Sequence, residues 1–253
     1  MILDKFILKG KVAIVTGSST GLGQGMIIGL AEAGADIAGV DYVDAQETRE
    51  RVKKIGRKYL EIKANLLTVE PIENIIKQTI KEYGKVDILI NNAGIIRRED
   101  AIGFTEKDWD DVMNINTKTV FFFSKTIARQ FVKQKTGGKI INIASMLSFQ
   151  GGIRVPSYTA SKSAVMGLTR ALANEWAKYD INVNAIAPGY MITNNTKALR
   201  ADKIRSKAIL DRIPAGRWGL PEDLAGVAVF LASKASNYIN GYTIAVDGGW
   251  LAR

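Results

Sequence analysis

Tyr158 and Lys162 lie four positions apart in the segment SYTASK (157–162), and Ser145 precedes Tyr158 by thirteen residues. The chain contains no histidine and no cysteine. Imidazole and thiolate chemistry are therefore excluded, as are disulfides and thiolate metal sites, and proton transfer must use Asp, Glu, Lys or Tyr. A free phenol, with a pKa near ~10, is a poor acid or base at neutral pH. An ammonium held beside it favours the phenolate, and lowering the phenol by about three units takes about 4 kcal/mol of differential interaction. In a dry site the pair could protonate a carbonyl oxygen as hydride arrives, or deprotonate an alcohol as hydride leaves. Ser145, at the end of a predicted strand, could donate a hydrogen bond to the same oxygen.

The Tyr-x-x-x-Lys spacing means little without its setting. It occurs again at Tyr59 and Lys63, but YLEIKANL reads as a strand, where four residues separate side chains by ~13 Å. YTASKSAVMGLTRALANEWA instead carries apolar residues at helical spacing, which predicts a helix over 158–178 with Tyr158 and Lys162 on one face.

A second chemical signal lies near the start. TGSSTGLGQG places Gly17, Gly21 and Gly23 between a predicted strand and a predicted helix. Glycines here permit a tight turn and close approach of a pyrophosphate, which then sits at the helix N-terminus. Asp41 closes the next strand, 20 residues after Gly21. A carboxylate there accepts hydrogen bonds from a ribose diol and repels a 2′-phosphate, so the pattern favours NAD over NADP.

These groups need a scaffold. The runs 11–16, 35–41, 59–66, 86–92, 139–145, 181–188 and 242–248 read as strands, most of them apolar throughout. Between them lie amphipathic segments at 45–57, 70–83, 107–134 and 158–178. Apolar strands alternating with helices predict an α/β fold: a single doubly wound parallel-sheet (Rossmann) domain over residues 1–253, with ligands at the carboxyl ends of the strands. The stretch 189–215 is polar and poor in strand signal, and reads as a small helical substrate lid.

At 253 residues and 47% apolar, the chain is long enough for one large core. Neither a signal peptide nor a run of ~20 apolar residues is found, so a cytoplasmic protein with no membrane partner is expected. The net charge of +10 comes without an Arg-rich run or an RNA-binding signature, so no nucleic acid partner is expected. Arg97, Arg98, Arg154 and Arg217 fall in loops near the expected mouth of the site. Arg154, four residues before Tyr158, could hold a carboxylate; pairing of these arginines with Glu99, Asp100 or other acids is the alternative.

The glycine turn, NNAG (91–94), Ser145, Tyr158 with Lys162, and PGYMIT (188–193) together resemble the short-chain dehydrogenase/reductase family over essentially the whole chain. The resemblance implies that Tyr158 is the acid/base, that Lys162 lowers its pKa and holds the nicotinamide ribose, and that Ser145 orients the substrate. Asn116, in MNINTKTVFF, takes the fourth catalytic position, with Asn114 as a nearby decoy. It further implies cofactor contacts from Ser18 and Leu22 to the diphosphate. Asn65, Leu66, Asn92, Ala93 and Gly94 would serve the adenosine side, and Ile192 and Thr193 the nicotinamide amide. Many relatives carry Asp at the position of Asn65, which weakens the expected adenine contact. Segments such as ASMLSFQGGIRVPSYTASKS and ILDRIPAGRWGLPEDL resemble the branch acting on 3-deoxy sugar acids of pectin and uronate breakdown. That branch implies NAD-linked interconversion of 2-keto-3-deoxygluconate and its 2,5-diketo acid. Its anionic sugar-acid substrate would meet Gln150, Arg154, Tyr190 and Asn194, and the enzyme would be a homotetramer. Two other readings stay open: another reductase of the family, such as a 3-oxoacyl carrier-protein reductase, and a non-catalytic dinucleotide-sensing or RNA-binding protein.

Overall fold

A computed structural model describes all 253 residues. Strand β1 (Val12–Thr16) is fully buried and leads through the glycine turn into α1 (Gly21–Glu32). The chain continues through β2 (Asp36–Asp41), α2 (Gln46–Lys54), β3 (Tyr59–Lys63), α3 (Ile72–Tyr83) and β4 (Ile88–Asn91). Then follow α4 (Glu106–Met113), α5 (Thr119–Gln134), β5 (Gly138–Ile143), α6 (Pro156–Trp176) and β6 (Ile181–Pro188). The short α7 (Lys197–Ala201) and α8 (Lys203–Arg212), then α9 (Ala225–Ala232) and β7 (Thr243–Val246), complete it.

All seven strands are parallel, in the order β3-β2-β1-β4-β5-β6-β7. Apolar residues at nearly every position of β1 and β4 follow from this, because helices cover both faces. On one face α1, α2 and α9 enclose a core containing Met26, Ile27, Leu30, Val52, Ala228 and Leu231. On the other, α3, α5 and α6 enclose Ile75, Ile76, Phe123, Phe131 and Leu172. The strand order reverses between β1 and β4, which opens a crevice at their carboxyl ends. No helix is long and apolar enough to cross a membrane.

Three boundaries differ from the sequence reading. The segment predicted as one helix over 107–134 is broken by a π-helical stretch at Asn114–Lys118 between α4 and α5. Strand β5 stops at Ile143, so Ser145 stands two residues beyond it, at the cap of a short 3₁₀ turn. Helix α9 is apolar all round, and its AGVAVFLA carries no polar face for periodicity to detect.

Candidate active site

Two cavities meet at the carboxyl edge of the sheet. A groove of about 440 Å³ runs over β1, β2 and β4 and is lined by Gly17, Gly21, Leu22, Asp41, Asn65, Leu66, Asn92, Ala93, Gly94, Tyr158, Lys162 and Thr193. A second cavity, of about 390 Å³, lies under α7 and α8; Ser145, Gln150, Tyr158 and Tyr190 line it. Tyr158 belongs to both spaces. A larger cavity, about 670 Å³, opens at the amino ends of the strands around Lys11, Asp87 and Lys139 and holds none of the predicted residues.

The groove fits a dinucleotide. Gly17 has φ +68°, and a Cβ on Gly23 would stand 1.9 Å from the Gly17 carbonyl oxygen, so the turn can close only over glycine. Thr20, at the cap of α1, makes no side-chain cap, which leaves the first N–H groups of the helix available to an anion. Asp41 accepts hydrogen bonds from the Ser19 and Tyr42 N–H groups, at 2.9 and 2.8 Å, and so is held at the β2 end of the groove. Asn92 donates to the carbonyls of Thr16 and Gly17 at 2.9 and 3.1 Å, while Thr16 Oγ1 accepts from the Asn92 and Ala93 N–H groups. The NNAG turn is thereby fastened to the phosphate turn. Its asparagine side chain serves the loop itself while still lining the groove.

The chemical residues converge from three elements. Helix α6 starts with Pro156 in its first turn and places Tyr158 and Lys162 on one face, the Lys162 Nζ 5.6 Å from the Tyr158 ring centroid. Lys162 Nζ donates to the Ile143 carbonyl at 2.6 Å, which ties the helix to the end of β5. Ser148 donates to the Lys162 carbonyl at 2.6 Å and accepts from the Ser145 N–H at 3.3 Å, linking the serine turn to the same helix. Asn116, fully buried in the π-helical stretch, accepts from the Ile95 N–H at 2.9 Å and donates to the Ile95 carbonyl at 3.0 Å and to Ser161 Oγ at 3.1 Å. The extra residue in the π turn aims Asn116 at the loop after β4.

The electrostatics differ from the sequence expectation. Burial raises the Tyr158 phenol above its ordinary value; the Ser145 hydroxyl and then Arg98 pull it back only in part. Burial pushes Lys162 down to about 8. Lys162 is engaged with the Ile143 carbonyl rather than with the phenol oxygen, and desolvation outweighs the attraction that a depressed phenol requires.

Other predicted residues lie elsewhere. Arg154 does not line the second cavity: its half-exposed guanidinium pairs with Asp100 at 3.1 Å and Glu99 at 3.5 Å. Arg97 is likewise paired with Asp108 and Asp111, and Arg217 with Asp223. Ser18 is fully buried and its carbonyl accepts from Thr48, while Ile192 is exposed and outside the groove lining. The sequence pattern does not single out Arg205, Arg212 and Trp250, which line the second cavity from α8 and the C-terminal turn. Only their tertiary placement reveals them.

A family model described as enoyl-(acyl carrier protein) reductase matches residues 17–251. The chain is 71% identical, over all of both chains, to 2-dehydro-3-deoxy-D-gluconate 5-dehydrogenase of Dickeya dadantii, and 67% identical over the same extent to the Escherichia coli protein of that name. A crystal structure from Agrobacterium tumefaciens, provisionally named 2-deoxy-D-gluconate 3-dehydrogenase and carrying bound NADP, is 53% identical. It covers 99% of this chain and 100% of its own, with a TM-score of 0.93.

Proposed function

The chain belongs to the short-chain dehydrogenase/reductase family, and from that premise we propose that it interconverts 2-keto-3-deoxy-D-gluconate and the corresponding 2,5-diketo acid with NAD(H). One observation carries the proposal. Tyr158, Ser145 and Lys162 meet where a dinucleotide groove opens into a cavity whose charged lining is entirely arginine. The full-length relatives bearing the sugar-acid name give the substrate class.

When bound, a nicotinamide supplies hydride to the carbonyl carbon in reduction and accepts it in oxidation. In reduction, Tyr158 gives its proton to the carbonyl oxygen as the new C–H bond forms, and the raised phenol suits it to hold that proton until then. Ser145 donates to the same oxygen and fixes its position. Lys162 carries the positive charge that stabilises the phenolate left on Tyr158. Asn116 locks the loop after β4 through both hydrogen bonds to Ile95. Oxidation runs the same proton path in reverse.

Asp41 supports NAD as the preferred cofactor, because its fixed carboxylate would repel a 2′-phosphate. The segment 189–215 serves as a lid over the substrate cavity, supported by α7 and α8 roofing it. A homotetramer is supported by the open edge of β7 and by the half-buried Phe121–Phe122 pair on α5. We place the reaction in cytoplasmic uronate breakdown, without nucleic acid or membrane partners.

The deciding experiment follows NADH absorbance while the purified protein is offered 2-keto-3-deoxygluconate with NAD or NADP, and the diketo acid with either reduced cofactor. Turnover with NAD(H) is the expected result. No turnover of either acid overturns the substrate assignment and directs the assay to 5-ketogluconate and acyl-thioester substrates.

A further inference from the structure

Three guanidinium groups, those of Arg98, Arg205 and Arg212, line the substrate cavity, and none of them has a carboxylate partner. Three other arginines near the site are paired with acids: Arg97 with Asp108 at 3.1 Å, Arg154 with Asp100 at 3.1 Å, Arg217 with Asp223 at 2.7 Å; Arg200 on α7 is held by Thr193 and Thr196 instead. Arg98, Arg205 and Arg212 are all exposed at the mouth of the cavity, so their charge is open to an anion that enters it.

The three are not equivalent. Arg212 lies over the Trp250 ring, its guanidinium carbon 4.0 Å from the centroid, and is committed to that cation–π contact. Arg98, from the loop after β4, makes one bond, to the Asn195 carbonyl at 2.9 Å, and keeps its remaining donors. Arg205 sits in the first turn of α8, and its guanidinium makes no hydrogen bond or ion pair. Burial, and after it the charge of Arg205, holds Arg98 below the usual guanidinium range. Arg98 also acts on Tyr158 and Tyr190, so its charge reaches the reacting end of the same cavity.

We infer that Arg98 and Arg205 are the two arms of the substrate-carboxylate site, one on the loop after β4 and one carried by the α8 segment. A single carboxylate between them cancels their repulsion and offers acceptors to both planar forks. Because Arg98 already grips Asn195 and Arg205 rides on α8, the carboxylate draws residues 195–205 down over the carbonyl it presents to Tyr158. The enzyme thereby selects an acid by closing on its charge. This rests on reading the substrate as a sugar acid, so the test separates the two.

Arg98→Met and Arg205→Met would be compared with wild type on 2-keto-3-deoxygluconate and on its uncharged methyl ester, with NADH affinity followed by fluorescence as the check on folding. Each variant should lose roughly a hundredfold in kcat/KM on the acid, mostly in KM, and only a few-fold on the ester. Arg205→Lys, which keeps charge without the fork, should fall between. Equal losses on acid and ester, or an acid preference that survives both changes, would overturn the assignment. If wild type turns over neither compound, the substrate reading has failed by itself, and tartrate quenching of bound-NADH fluorescence still reads the site. Tartrate binding lost in both variants supports the arginine pair; binding unchanged in them, or absent from wild type, overturns it.

Discussion

The groove and the cavity share Tyr158 but are built on opposite plans. In the groove the polar groups satisfy one another before any ligand arrives: Asp41 holds Ser19, Asn92 holds the phosphate turn, and Thr16 holds the NNAG turn. All of these sit on strand ends of one continuous sheet. In the cavity the three guanidiniums have no carboxylate partner, and one wall is two short helices joined by a single residue, Asp202. A self-satisfied site is preorganised for one ligand shape, whereas an unsatisfied one is completed by its ligand. The first plan suits the cofactor that a whole family shares, and the second suits the substrate on which its members differ.

Tyr158 is where the two plans can be separated most sharply. Tyr158→Phe keeps the ring that both spaces pack against and removes only the hydroxyl. Turnover should fall by roughly 10³-fold or more, within or beyond the range of general acid catalysis, while NADH affinity stays near wild type. Steady-state assay and NADH fluorescence titration check this, and retained turnover would remove Tyr158 from the acid role. Gly23→Ala attacks the groove alone. Its Cβ would meet the Gly17 carbonyl at 1.9 Å, so the phosphate turn must shift. NADH affinity should weaken by about a hundredfold, on the order of 3 kcal/mol, with the fold retained by circular dichroism. An unchanged Kd would mean that the turn is less preorganised than its hydrogen bonds imply.

The third test is stability against pH. Lys162, fully enclosed, has a pKa near 8, well below its value in the unfolded chain, and Lys139, less enclosed, is also near 8. Below that pH both states are protonated and the native state bears the full desolvation cost. Between about 8 and 10 the unfolded chain binds more protons than the native one, so stability rises with pH across that window. For Lys162 the gain is on the order of 3 kcal/mol at most, and less for the partly exposed Lys139. Above about 10 the raised tyrosines, Tyr59 near 12 among them, reverse the trend, because the unfolded chain ionises first. Urea midpoints at pH 7.5, 9.5 and 11 should rise and then fall. Lys162→Met should flatten most of the rise; an unaltered rise would place its origin elsewhere.

This contrast also explains what the sequence could disclose. The groove and the chemical residues are written locally: glycines between a strand and a helix, an acid at the next strand end, a tyrosine and lysine one turn apart. Each pattern follows from backbone geometry over a few residues. The cavity is not written that way. Arg154 is near Tyr158 in sequence and was the natural candidate, but the loop turns it toward Glu99 and Asp100, while Arg205 arrives from more than forty residues downstream. Whether an arginine has an acid beside it is a tertiary fact. The π-helical break at Asn114–Lys118 escaped for a related reason, since one extra residue leaves the apolar period of 107–134 nearly unchanged.

Cofactor choice should respond more modestly. Asp41→Asn keeps an acceptor for the Ser19 N–H and removes the charge. NADPH affinity should improve about tenfold relative to NADH, roughly 1.4 kcal/mol. The NADP in the Agrobacterium structure makes this informative: a wild-type chain already indifferent to the 2′-phosphate would show no such shift, and Asp41 would lose its role as selector.

The smallest effect belongs to Arg154, and its smallness is the point. Arg154 adopts φ +62°, a left-handed conformation that costs a residue with a Cβ about 1 kcal/mol. Its ion pairs with Glu99 and Asp100 are half exposed, and such pairs are worth a few tenths to about 1 kcal/mol. Arg154→Gly therefore exchanges two weak pairs for relief of a strained backbone, against the greater freedom of glycine in the unfolded chain. The net change in stability should stay within about 1 kcal/mol by thermal denaturation, and kcat/KM on the acid should stay within about twofold. A loss of tenfold or more, confined to the acid and spared on the ester, would carry Arg154 from the rim into the carboxylate site. The cavity would then have three arms rather than two, and the loop holding Glu99 and Asp100 would have to release one of them when substrate enters.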